Sequence, residues 1–131
     1  MTSDTHFERR RKGAPLFYAG WAGFALFGVL VFADGHAELS YGVLHVLVAA
    51  AMCTWYAMTA GRAALVVGAV LGVLFALQMG FFLYSDLFTG DDPALKTMLE
   101  DAFGLVAAAL IVSGSVLGLR SQSLSFAREA S

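Results

Sequence analysis

Charge and sulfur are scarce in this chain. Of its 131 residues, 14% are charged and 59% are hydrophobic. An ordinary water-soluble domain, in which about a quarter of the residues carry charge, is thereby excluded. Cys53 is the only cysteine, so there is no disulfide framework, thiol pair or cysteine zinc site. The sequence has no GxSxG, no HExxH and no glycine-rich phosphate loop, and no apolar run holds a pair of carboxylates. Nothing therefore points to acyl transfer, zinc proteolysis or nucleotide chemistry. The expectation is a non-enzymatic chain with no cofactor, and the only basic cluster is better explained by membrane topology than by nucleic acid.

Long apolar runs are what the chain has in abundance. They extend from Leu16 to Ala33, Leu39 to Ala60, Ala63 to Tyr84 and Ala102 to Leu119. A helix crossing a hydrocarbon core of ~30 Å needs about 18 or more such residues. In lipid the backbone must satisfy its own hydrogen bonds, so helices follow from run length even where Val and Gly would weaken a soluble helix. The links are brief, which makes consecutive helices antiparallel neighbours. The predicted fold is all-α, a four-transmembrane-helix antiparallel bundle over residues 16–119, with a basic tail over 1–15 and a second tail over 120–131. Asp92 followed by Pro93 reads as a helix N-cap and first helical residue, so an amphipathic start over 93–101 leads into the fourth span.

The few charges are sorted by side. Arg9, Arg10, Arg11, Lys12, Arg62, Arg120 and Arg128 fall at one boundary, whereas Asp34, Glu38, Asp86, Asp91, Asp92, Glu100 and Asp101 fall at the other with Lys96. Lys and Arg are retained on the cytoplasmic side of a membrane. Both termini are therefore expected in the cytoplasm, and the protein in a bacterial plasma membrane as a multi-pass chain. The first run exceeds the apolar core of a cleaved signal, which has roughly 7 to 15 residues, so it is expected to stay as a span. Phe17, Tyr18, Trp21, Trp55 and Tyr56 toward one boundary, and Tyr41, Phe81, Phe82 and Tyr84 toward the other, agree with interfacial aromatic belts.

Small residues recur every fourth position in the third run: Ala64, Gly68, Gly72, Ala76 and Gly80. This spacing lets two membrane helices approach closely. The fourth run offers Gly104, Ala108, Ile111, Ser115 and Gly118 on one face, and Gly114 with Gly118 adds a GxxxG pair. Gln78 lies nearly opposite Ala76 and Gly80 around the helix. A buried amide without a partner costs a few kcal/mol in hydrocarbon, so Gln78 is expected to point inward, leaving Ala76 and Gly80 for another subunit or a crossing neighbour.

His45 is the other polar residue within a span. It and Gln78 each sit six residues inside the same boundary, roughly 9 Å deep, so a hydrogen bond between them is expected. Tyr41, Ala49, Met52 and Tyr56 share the face of His45. Ionisable residues inside spans are functional candidates, which makes His45, Gln78, Tyr41 and Met52 a possible ligand or proton site. The bland alternative is that His45 is satisfied by Gln78 or a helix carbonyl and pins two helices together. His36, Asp34 and Glu38 are acceptable transition-metal ligands by type, but their spacing matches no metal motif. A b-type haem would need a second chain, because His6 lies in the tail, His36 in a link and only His45 in a span.

The segment Tyr41-Gly-Val-Leu-His45-Val-Leu-Val, the short turn at Arg62, the glycine-spaced third helix and Thr97-Met-Leu-Glu-Asp-Ala-Phe-Gly104 before an Ala-rich last helix resemble small, uncharacterised four-helix membrane proteins of actinobacterial type. The resemblance covers most of residues 16–119, although the last helix lacks a second histidine at the matching place. It implies a layout and no activity. Together with the small-residue row, the layout favours an accessory or structural subunit, partnered by the lipid bilayer and by copies of itself or other membrane subunits. The alternative is binding, transport or sensing of a small ligand, ion or proton at His45 and Gln78.

Overall fold

The computed structural model describes residues 12–35, 37–88 and 95–130, with side chains described as far as residue 124. They form a four-helix bundle of α1 (Ala14–Ala33), α2 (Leu39–Thr59), α3 (Arg62–Phe88) and α4 (Leu95–Ala130). Each helix is long and apolar enough to cross a membrane. Their outward faces are apolar as well: Leu44, Leu47, Leu77, Phe81 and Val106 are all exposed. A helix apolar all round needs either burial or lipid, and these faces are not buried by protein.

Close approach of backbones decides which helices pair. A Cβ added to Gly20 of α1 would stand 2.6 Å from the Ile111 nitrogen and 3.0 Å from the Ala107 carbonyl oxygen of α4. One added to Gly114 would stand 2.4 Å from the Phe17 nitrogen. These glycines let α1 and α4 meet backbone to backbone. Gly28 brings the α1 backbone against a side chain of α2, since its added Cβ would fall 2.4 Å from that of His45. Gly68 and Gly72 of α3 face α4, where their added Cβ atoms would meet Ser115 Oγ at 3.0 Å and Val112 Cγ2 at 2.8 Å.

The result is an open ring. α1 packs on α2 and α4, and α4 packs on α3, but α2 and α3 touch only sparsely. Consecutive helices were expected to be neighbours throughout, and the α2/α3 seam departs from that. The small residues that could have closed it are all buried elsewhere: Gly68 faces Phe17 of α1 and Ser115 of α4, Gly72 faces Val112 and Ile111 of α4, and Ala64 lies in the apolar cluster with Phe17 and Leu65.

Aromatic rings of α1 fill the centre. Phe17, Trp21 and Phe27 are buried; Phe17 lies 4.7 Å from the Tyr56 ring of α2, and Phe24 lies 4.7 Å from the Phe75 ring of α3. Such edge and tilted contacts add about 0.5–1.5 kcal/mol each beyond the area they bury. Phe17, Trp21, Met52, Tyr56, Leu65 and Ile111 belong to one apolar cluster, and Phe27, Phe75, Met79, Ala107 and Ala108 to another.

Two helix limits differ from expectation. α3 runs on to Phe88 instead of stopping at Tyr84, and α4 continues to Ala130 where a solvated tail from residue 120 was expected. No Gly or Pro follows Gly118 to break that helix. Its extension is also tied back to the α2/α3 link. Gln122 Nε2 donates to the Ala60 carbonyl at 3.0 Å, and Arg62 donates to Ser123 Oγ at 3.5 Å. The expected cap at Asp92 and Pro93 lies outside the described residues, as do Arg9 to Arg11.

Candidate ligand groove

The parted seam between α2 and α3 forms a groove of about 310 Å³. Trp21 and Phe24 of α1 and Ile111 of α4 form its floor, and Leu44, His45 and Val48 make one wall. Leu71, Leu74, Phe75 and Gln78 make the other. Leu44 and Leu74 are the exposed lips. Leu74 stands near the middle of the apolar run, so the mouth opens where hydrocarbon, not water, would surround the helix.

His45 and Tyr41 are the polar side chains in the groove wall of α2, and His45 is 7% exposed. Its Nδ1 lies 2.8 Å from the Tyr41 carbonyl oxygen one turn earlier. A carbonyl can only accept, so Nδ1 carries the proton and donates it. In the neutral ring Nε2 then holds a lone pair, and among the described residues nothing hydrogen-bonds to it. The ring is held flat against Phe24, with centroids 4.5 Å apart and 28° between planes, and Tyr41 lies 4.2 Å away by centroid. Gly28 sits directly behind it.

Gln78 behaves otherwise than expected. It is exposed at the groove rim, and no hydrogen bond joins it to His45, whose Nδ1 is taken by its own helix. The buried face of α3 is set by Ala64, Leu65, Gly68, Gly72, Phe75 and Met79. That places Gln78 beside the core and not within it. The partner face expected over Ala64, Gly68, Gly72, Ala76 and Gly80 is divided. The first three are buried inside this chain, Ala76 packs against the second apolar cluster, and a Cβ on Gly80 would meet nothing within 4 Å. Gly114 faces α1 and Gly118 faces Leu65 of α3, so that pair also serves packing within the chain. Ala49, Met52 and Tyr56 are buried below His45 on the same face of α2, and Tyr41 is half-buried.

At the far end of the bundle, Asp34 is paired with Lys96 at 2.6 Å, joining the end of α1 to the start of α4. His36 lies outside the described residues, and Glu38 is exposed as the residue preceding α2. Among the described residues no group of three or more His, Cys, Asp or Glu is arranged to hold a metal ion. Nearby, Asp86 and Asp101 share a hydrogen bond. They flank the apolar runs that end at Tyr84 and begin at Ala102, so this pair stands at the boundary. Burial, then the bond to Asp86 and its charge, push the Asp101 carboxyl up to about 7.

Sequence reasoning located His45, Tyr41 and Gln78 but missed Trp21, Phe24 and Phe75, which complete the groove. The spacing of Phe17, Trp21, Phe24 and Phe27 along one face of α1 was the available signal. No protein family, curated protein or solved structure matches this chain.

Proposed function

We propose that this chain is a multi-pass protein of a bacterial plasma membrane, with antiparallel helices and both termini in the cytoplasm, that binds a small membrane-dissolved ligand in the α2/α3 groove. The observation that carries the reading is His45: a buried ring with one nitrogen fixed to its helix and the other unpartnered in a groove wall. Groups of this kind inside spans are expensive to keep and are functional candidates by default. Among the described residues no Ser, Cys, Asp or Glu lines the groove beside His45, which favours binding, in transport or sensing, over catalysis.

The test is native mass spectrometry of the chain released from its own membrane in mild detergent. A small molecule retained by the wild type and lost from Leu74→Trp, which fills the groove, is expected. If the wild-type chain carries nothing beyond detergent and bulk phospholipid, the binding role fails. A second reading, an accessory subunit in a homo-oligomer or larger membrane complex, is favoured by the open space at Gly80 beside the exposed Leu77 and Phe81. A strictly monomeric chain in mild detergent, with no stoichiometric partner recovered from the membrane, would remove it.

A further inference from the structure

We infer that the groove ligand is a neutral, hydroxyl-bearing lipid whose O–H donates a hydrogen bond to Nε2 of His45. The inference rests on the binding role proposed above and specifies its chemistry. The tautomer decides the polarity of the contact: with Nδ1–H committed to the Tyr41 carbonyl, the neutral ring offers an acceptor and no second donor. A ligand carrying only carbonyl or ether oxygens would set lone pair against lone pair, whereas an alcohol supplies the missing donor.

The remaining features narrow the ligand further. Among the described residues no Lys or Arg lines the groove to pair with a phosphate or carboxylate, and no Asp or Glu lines it to pair with an amine. A charged head there would lose its hydration without compensation. Trp21, Phe24, Leu71 and Phe75 instead present apolar surface to a hydrocarbon body. The volume of about 310 Å³ is at the small end of ligand pockets, which span roughly 300–1,000 Å³. It suits a compact head with the first part of a tail, and the lips at Leu44 and Leu74 leave the rest of the tail in the bilayer. Gln78 at the rim can donate to the same hydroxyl oxygen from the facing helix, by its chemistry. Long-chain alcohols and diacylglycerols share this head.

The experiment uses the full chain in detergent micelles with Trp55→Phe, leaving Trp21 in the groove floor as the sole tryptophan. Brominated hexadecanol and its methyl ether, identical but for the O–H, are compared as quenchers of Trp21 fluorescence. The alcohol is expected to bind about tenfold more tightly, as one hydrogen bond in a dry site provides. His45→Phe, which keeps the stacked ring and loses the acceptor, is expected to make the two probes equal. Equal binding of alcohol and ether to the His45 protein would overturn the hydroxyl assignment and leave the binding role standing. Failure of either probe to quench Trp21 above the level of Leu74→Trp,Trp21→Phe controls would remove both. If the alcohol is preferred, brominated diacylglycerol run in the same assay separates the two lipid sources.

Discussion

The backbone nitrogen of Phe17 lies where a methyl group on Gly114 would have to go, at 2.4 Å from an added Cβ. The neighbouring obstacles, Phe17 Cα at 2.8 Å and the Gly13 carbonyl oxygen at 2.9 Å, are backbone too. Backbone cannot swing aside as a side-chain tip can, so α1 and α4 must separate. Gly114→Ala is therefore expected to lower stability by about 2 kcal/mol or more, in the range of a broken close-packed contact. Gly80→Ala, with nothing within 4 Å, is expected to be neutral or to stabilise by up to about 1 kcal/mol through helix propensity. Thermal unfolding in one detergent checks both, and equal losses would refute the seam.

Behind His45, Gly28 couples the site to the packing of α1 on α2. Its added Cβ meets side-chain atoms, His45 Cβ at 2.4 Å and Cγ at 2.7 Å. His45 Cβ is fixed to its own backbone, so Gly28→Ala must part α1 from α2 there and carry the imidazole away from Phe24 with α2. The expected result is weaker binding of the alcohol probe, by about tenfold if the hydrogen bond to Nε2 is lost. Gly42→Ala, whose nearest obstacle is the Gly28 carbonyl oxygen at 3.2 Å, is expected to loosen the same seam with a smaller effect on the probe. A Gly28→Ala protein that binds the probe as well as wild type would show that His45 does not face it.

Ala60 ends α2 in the left-handed region, with φ 44°, a conformation that costs a non-glycine residue about 1 kcal/mol. Its N–H still donates to the Tyr56 carbonyl at 2.7 Å, and its own carbonyl accepts from Gln122. Ala60→Gly is expected to raise stability by up to about 1 kcal/mol, because glycine adopts this φ without a Cβ clash. Gln122→Ala is expected to lower it by about 1 kcal/mol, leaving a partly buried carbonyl unpaired. Denaturation midpoints check both signs, and a destabilising Ala60→Gly would mean that the strain is not there.

Run length and hydropathy made the four helices legible, because lipid-length apolar segments leave the backbone few alternatives. The choice of neighbours was not legible. The row Ala64, Gly68 and Gly72 announces a close contact but not its partner, and Gln78 was placed inward on the cost of an unpartnered amide in hydrocarbon, whereas it is exposed at the groove rim. Closure depends on Gly20 and Gly114, which let α1 meet α4; Gly20 did not stand out among 14 glycines, and Gly114 was visible as half of a GxxxG pair whose partner helix the spacing does not name. His45 was visible as an oddity of composition. Its tautomer was not, since that depends on how close Nδ1 comes to the Tyr41 carbonyl.

The shared bond between Asp86 and Asp101 makes stability depend on pH with a definite sign. Two carboxyl groups can hydrogen-bond only if one keeps its proton. Burial raises the cost of losing that proton, and Asp101 is accordingly pushed up to about 7. In the unfolded chain it would ionise near its ordinary 3.8. The folded state thus holds an extra proton between these values, so its advantage is complete below the lower one and is lost as pH rises through the upper. The melting temperature is expected to fall between about pH 4 and about pH 7, and Asp101→Asn, which still donates to Asp86, should flatten that slope. An unchanged slope in Asp101→Asn would locate the titrating proton elsewhere.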